Sequence, residues 1–147
     1  MMVSIFAFLI VFRFIVLVHE FGHFLAARKS GVKVFEFSVG FPFSPRLFTL
    51  FHHRETAFTI RLLPLGGFVS FSHDGNEDDT ELFRASHSKR ALILSVGSLF
   101  NILFAFLIFT PVFMIGKHLG LIDALVLSVK TVWEILSGTL MFIVNTF

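Results

Sequence analysis

Three long apolar runs, separated by one alternating stretch and one polar stretch, set the plan of this chain. Residues 3–27 are apolar nearly all round, broken by Arg13 and by a polar cluster near residue 20. About 20 such residues suffice to cross a bilayer as a helix, so this run predicts a first transmembrane helix. Residues 91–115 predict a second by the same reasoning. Residues 120–147 are apolar but hold Asp123, Lys130 and Glu134. They predict either a third span or an amphipathic helix lying in the membrane interface. The charges at mid-segment favour the interface, with Lys130 and Glu134 spaced to pair on one face and Trp133 suited to the boundary.

The stretch 31–72 has a different period. Val32 to Val39 alternates and is rich in β-branched and aromatic residues, which reads as a strand. Gly40 to Pro45 breaks it. Arg46 to His52, Thr56 to Leu63 and Gly67 to Phe71 are further strands, with His53-Arg54-Glu55 as a polar turn. A small, Phe-rich antiparallel sheet is expected at the membrane surface or dipping into it. Backbone at membrane depth needs cover from protein or a wet cavity, so the sheet should pack on the first helix. Residues 73–90 are polar, and His73 to Glu81 reads as an acidic loop.

Composition supports a membrane protein of one domain, 1–147. Of 147 residues, 55% are hydrophobic and 23 are Phe, more apolar surface than a soluble domain of this size could bury. The N-terminal run has no basic leader and outlasts a signal-peptide core, so it reads as a retained helix. Charge is informative by position. Arg28, Lys29, Lys33, Arg46, Arg54, Arg61, Arg84, Lys89 and Arg90 all lie between the first two helices, and only Lys117 and Lys130 come after them. The positive-inside rule then places the N-terminus outside and the 28–90 segment in the cytoplasm, in a multi-pass protein. With no cysteine in the chain, a metal could be held only by His, Asp or Glu.

One cluster suggests chemistry. His19-Glu20-Phe21-Gly22-His23 is an H-E-x-x-H pattern inside the first apolar run. On a helix, His19 and His23 share a face and can offer two imidazoles to one metal ion. Glu20 stands beside them, where the base that deprotonates an attacking water is needed. A helix entering the hydrocarbon near Val3 would place His19 ~24 Å along a ~30 Å core. Ionisable groups at that depth are costly, so they mark a metal site or a polar network between helices. Gly22 allows another backbone to come close. A zinc site needs a third protein ligand, and none is identified. His52 and His53 would point oppositely on a strand, and His73 and His87 flank the acidic loop. Asp74, Asp78 and Asp79 read as solvated charges, and Asp123 reads as a helix cap. Asn101, a lone amide in the second span, reads equally as an interhelical hydrogen bond or as a donor facing a scissile carbonyl.

At these residues the chain resembles the site-2 protease family of intramembrane zinc metalloproteases, in particular the bacterial type that cleaves anti-sigma factors (RseP-like, peptidase M50 type). His19 to His23, with Phe24 and Ala26-Ala27-Arg28, is similar to the family's first-helix motif. Gly31 to Val34 through Phe37 to Phe41 resembles its entry into the membrane-associated β region. Leu63-Pro64-Leu65-Gly66-Gly67-Phe68-Val69 resembles its proline–glycine–glycine–aromatic stretch, and Gly97 with Asn101 its G-P-x-x-N pattern. Together they cover about residues 10–110.

The resemblance implies His19 and His23 as zinc ligands, Glu20 as the base and Asn101 near the substrate backbone. It also implies a sheet that receives the substrate as an added strand. Ser98 departs from the usual proline, no PDZ-like domain comes after the second helix, and the family's later aspartate-bearing motif is absent. The chain therefore reads as an N-terminal portion of a longer intramembrane zinc endopeptidase in the bacterial inner membrane. Its expected partners are a transmembrane protein substrate and the bilayer, and no nucleic acid. The alternative is a catalytically inactive membrane module that binds client transmembrane segments.

Overall fold

The computed structural model describes residues 2–63, 66–72 and 80–146. Helix α1 spans Met2–Lys29, and its N-terminal side chains lack protein cover, as expected of a segment solvated by lipid. Its end is set by a short local device. Gly31 takes φ 74°, the Gly31 N–H donates to the Arg28 carbonyl at 3.2 Å, and the Val32 N–H donates to Ala27 at 2.9 Å. Those two bonds satisfy carbonyls the helix would leave open and turn the chain back along α1.

The turn delivers Val32 and Val34 into a core with Phe24, Ala26, Ala27, Phe37 and Ile93. Ala27 is fully buried because only a small side chain fits where the returning chain passes. Phe24 meets Phe37 at 5.4 Å and Phe58 at 5.7 Å between ring centres, edge to face.

The strands are β1 (Glu36–Val39), β2 (Arg46–His53), β3 (Thr56–Arg61) and β4 (Gly67–Ser70), ordered β2-β3-β1-β4. The expected antiparallel sheet is corrected here: β2–β3 and β1–β4 pair antiparallel, but β1–β3 pairs parallel. The cause is the crossover. The Gly40–Pro45 break carries the chain outward, β2 is laid on the far side, and the hairpin at Arg54 (φ 56°) returns β3 beside β1. The first strand is also shorter than the alternation predicts: Val32 and Val34 enter the core ahead of it, and backbone bonding to the neighbouring strands starts at Phe35, which pairs with Ser70 and Ala57.

The centre of the sheet is pinned by a buried carboxylate. Glu36 accepts from Arg46 at 2.7 Å, from Arg61 at 3.1 Å and from Thr59 at 2.5 Å. Arg61 also donates to the carbonyls of Pro42 and Ser44, holding the break against β3. Removing one partner of a buried, hydrogen-bonded pair is costly because the other charge stays behind. Glu36→Ala should therefore lower stability by about 3 kcal/mol, read by denaturant unfolding in detergent. A change below ~0.5 kcal/mol would show that the cluster contributes little.

The acidic loop at 73–79 lies outside the described residues. The polar stretch beyond it is not plain loop: Thr80 caps a single helical turn, α2 (Glu81–Arg84), and α3 then runs from His87 to Gly116. Helix α4 covers Leu121–Thr146. Asp123 sits in the first turn of α4, where it complements the helix dipole, and not at the cap. The expectation of two spans with an interfacial third helix is also revised. Among the described residues, three helices (α1, α3 and α4) are long and apolar enough to cross a membrane. Lys130 and Glu134 lie 3.8 Å apart, so the charges that argued against a span partly compensate each other.

The chain divides into two compact units, Met1–Asn101 and Ile102–Phe147. Within the second, Ala124, Ser128 and Val132 form a buried stripe on α4, and Ser128 meets Thr110 at 3.2 Å. Small and hydroxylated residues at such contacts let helices approach without a hydrophobic driving force. The H-E-x-x-H cluster, the sheet and the first half of α3 all belong to the first unit.

Candidate active site

Two faces of α1 diverge at the H-E-x-x-H cluster. His19 and His23, one turn apart, turn toward α3, and their rings lie 4.6 Å apart between centres at 83°. Glu20 is rotated about 100° from His19 and turns toward β4. The sheet does pack on this helix. The Val69 N–H lies near the Glu20 carboxylate, and a Cβ on Gly67 would lie 3.6 Å from Glu20 Cγ. The three side chains are half-buried.

The opposing surface is built by one stripe of α3 at i, i+4 and i+8. The Ile93 carbonyl is 2.6 Å from His23 Nδ1. Gly97 faces both rings. A Cβ there would lie 2.7 Å from His23 Cε1 and 2.8 Å from His19 Cε1, and would overlap His23 Nε2. The Gly97 carbonyl lies near the His19 ring. Asn101 places its amide nitrogen 3.3 Å from His19 Nδ1, while its oxygen is buried with no partner among the described residues. Gly22 works differently from expectation: the group beside it is the Phe100 ring, whose Cγ would be 3.0 Å from a Cβ, and not a backbone.

These features suit a metal ion on two histidines. A carbonyl can only accept, so His23 carries its proton on Nδ1 and keeps a lone pair on Nε2, the nitrogen facing Gly97. The missing side chain at residue 97 leaves room for the rings. No group of three His, Cys, Asp or Glu able to hold a metal occurs among the described residues, so two ligands are in view. His73, Asp74, Asp78 and Asp79 lie outside the described residues.

The four residues singled out from the sequence are thus brought together: His19, Glu20 and His23 on α1, and Asn101 against His19. The Ile93 carbonyl and the Val69 N–H were not foreseen. They act through backbone and leave no mark in side-chain pattern.

Among curated proteins, the chain is 42% identical over 117 residues to a protein of Vibrio cholerae provisionally named a zinc metalloprotease. That match covers 75% of this chain and 25% of the relative. Relatives with the same provisional name occur in Streptococcus pneumoniae, at 48% over 81 residues, and in Thermotoga maritima, at 38% over 112 residues. The first match covers 55% of this chain and 19% of the relative, the second 71% and 22%. The chain therefore spans a quarter or less of the length of these relatives. The family model for peptidase family M50 matches residues 7–147, nearly the whole sequence. This chain belongs to peptidase family M50.

Proposed function

We propose that this chain carries the water-activating half of an intramembrane zinc endopeptidase that cuts transmembrane segments of membrane proteins. The observation that carries the reading is the placing of His19, Glu20 and His23 between α3 and the edge of a sheet, within an apolar helix. His19 and His23 would hold the zinc. A bound zinc would supply Lewis acidity to a carbonyl and make a nearby water acidic enough to be deprotonated near neutral pH.

The chain's own residues account for the remaining steps. Glu20 takes the proton from the water that attacks the scissile carbon. As the C–N bond breaks, Glu20 hands that proton to the departing amine. The Val69 N–H lies beside the carboxylate. β4 aligns the substrate. The Gly40 N–H donates to the Gly66 carbonyl at 3.0 Å, so in this register Phe68 and Ser70 bond to β1 while Gly67 and Val69 turn outward. A peptide unwound from a helix can lie along that outward edge, next to Glu20. The charge asymmetry supports an N-out arrangement with the 28–90 segment in the cytoplasm of a bacterial inner membrane.

The test is cleavage of a reporter transmembrane segment in membranes containing the protein. Cleavage should stop with a zinc chelator and return with added zinc. Cleavage untouched by chelation would overturn the reading. A second reading, a client-binding module without catalysis, draws on the two-ligand site. It predicts retention of client segments that ignores both chelation and Glu20.

A further inference from the structure

The two histidines differ in what fixes their protons, and one of them depends on Asn101. His23 is settled by the Ile93 carbonyl, which forces Nδ1–H and frees Nε2. At His19 the partner is an amide, which can turn by half a rotation and fill the same space. With its NH2 toward the ring, Nδ1 must accept, the proton sits on Nε2, and that nitrogen cannot bind a metal. With its oxygen toward the ring, Nδ1–H donates and Nε2 carries the lone pair. In the orientation seen, the amide oxygen has no partner among the described residues, so none of them holds that orientation and the ring's chemistry decides between the two.

We propose that Asn101 is a positioning residue whose side-chain oxygen holds His19 in the Nδ1–H form, so that both histidines present Nε2 to the same ion. This role rests on the reading of His19 and His23 as metal ligands. It moves Asn101 from the substrate, where the resemblance puts it, to the metal's outer partners. α3 thereby sets both ring tautomers, through a backbone carbonyl at residue 93 and a side-chain oxygen two turns later. Partners of this kind raise ligand basicity and fix ring orientation.

The experiment titrates the full chain in detergent with Co2+, monitored by its d–d absorption. Asn101→Leu keeps the volume and removes the acceptor. It should weaken Co2+ binding 10- to 100-fold and alter the band envelope. Asn101→Asp keeps an acceptor and should retain affinity. In the metal-free chain, 15N shifts of the His19 ring should report Nδ1–H. An Asn101→Leu variant with unchanged affinity and spectrum would overturn the proposal. So would an Nε2–H ring at His19 in the unsubstituted protein, which decides the matter even if the leucine variant does not fold. If His19→Ala and His23→Ala leave Co2+ binding intact, the metal-ligand reading falls and the role of Asn101 with it. If they abolish binding while Asn101→Leu does not, only the role of Asn101 falls.

Discussion

Glu20→Gln is expected to stop cleavage and leave zinc on the protein. Glutamine has the size of glutamate and cannot take a proton from water at neutral pH. Its side chain fills the same space beside Val69 and Gly67, so the packing of α1 on β4 survives. The metal should survive as well, since His19 and His23 face α3 while Glu20 faces the sheet. Loss of a positioned general base lowers rates by roughly 10²- to 10⁴-fold. The measurement pairs reporter cleavage in membranes with zinc content of the purified protein. Undiminished cleavage would remove Glu20 from the mechanism. Lost cleavage together with lost zinc would make Glu20 part of the metal's surroundings instead. Client retention that ignores the substitution would favour the binding-module reading.

The parts of this site that were readable from sequence are those that depend on helical geometry alone. The spacing of His19 and His23 needs only 3.6 residues per turn to bring two rings together, and Glu20 between them must face elsewhere. Strand positions in 46–53 and 56–61 come from alternation and a polar turn in the same way. Pairing direction does not. Alternation reports which face a residue takes and says nothing about which strand lies beside it. The parallel β1–β3 contact arises from where β2 is laid after the Gly40–Pro45 break.

The same limit explains the residues around the histidines. Ile93 contributes a carbonyl and Val69 an N–H, groups that every residue but proline carries in full, so no side-chain pattern could single them out. Gly97 and Asn101 were visible as part of a family pattern, yet the pattern alone did not show that both face the His19 ring. Lys130 and Glu134 mark another limit. Their spacing shows that they can pair, but whether a pair one turn apart weighs enough against a span is a matter of degree that the pattern does not fix, and α4 is long and apolar enough to cross.

Gly97→Ala should disable the site through the metal, where Glu20→Gln does so through the base. The added Cβ would stand 2.7 and 2.8 Å from a carbon of each histidine ring and closer still to His23 Nε2. Ordinary contact begins near 3.4 Å, so both rings must retreat by at least about half an ångström, or α3 must move away and take the Ile93 carbonyl and Asn101 with it. Ligand constellations tolerate displacements of only ~0.5 Å. A misplacement near 1 Å costs on the order of 10²-fold in rate, and zinc content should fall in parallel. Alanine is the better helix former by about 1 kcal/mol, so a weakened helix cannot be the cause. Gly116→Ala is the control: it lies at the end of the same helix, and nothing among the described residues stands within 4 Å of where its Cβ would be. It should bind zinc and cleave as the unsubstituted protein does. If Gly97→Ala behaves like that control, the two rings do not act from the positions seen here, and the metal would have to be sought elsewhere.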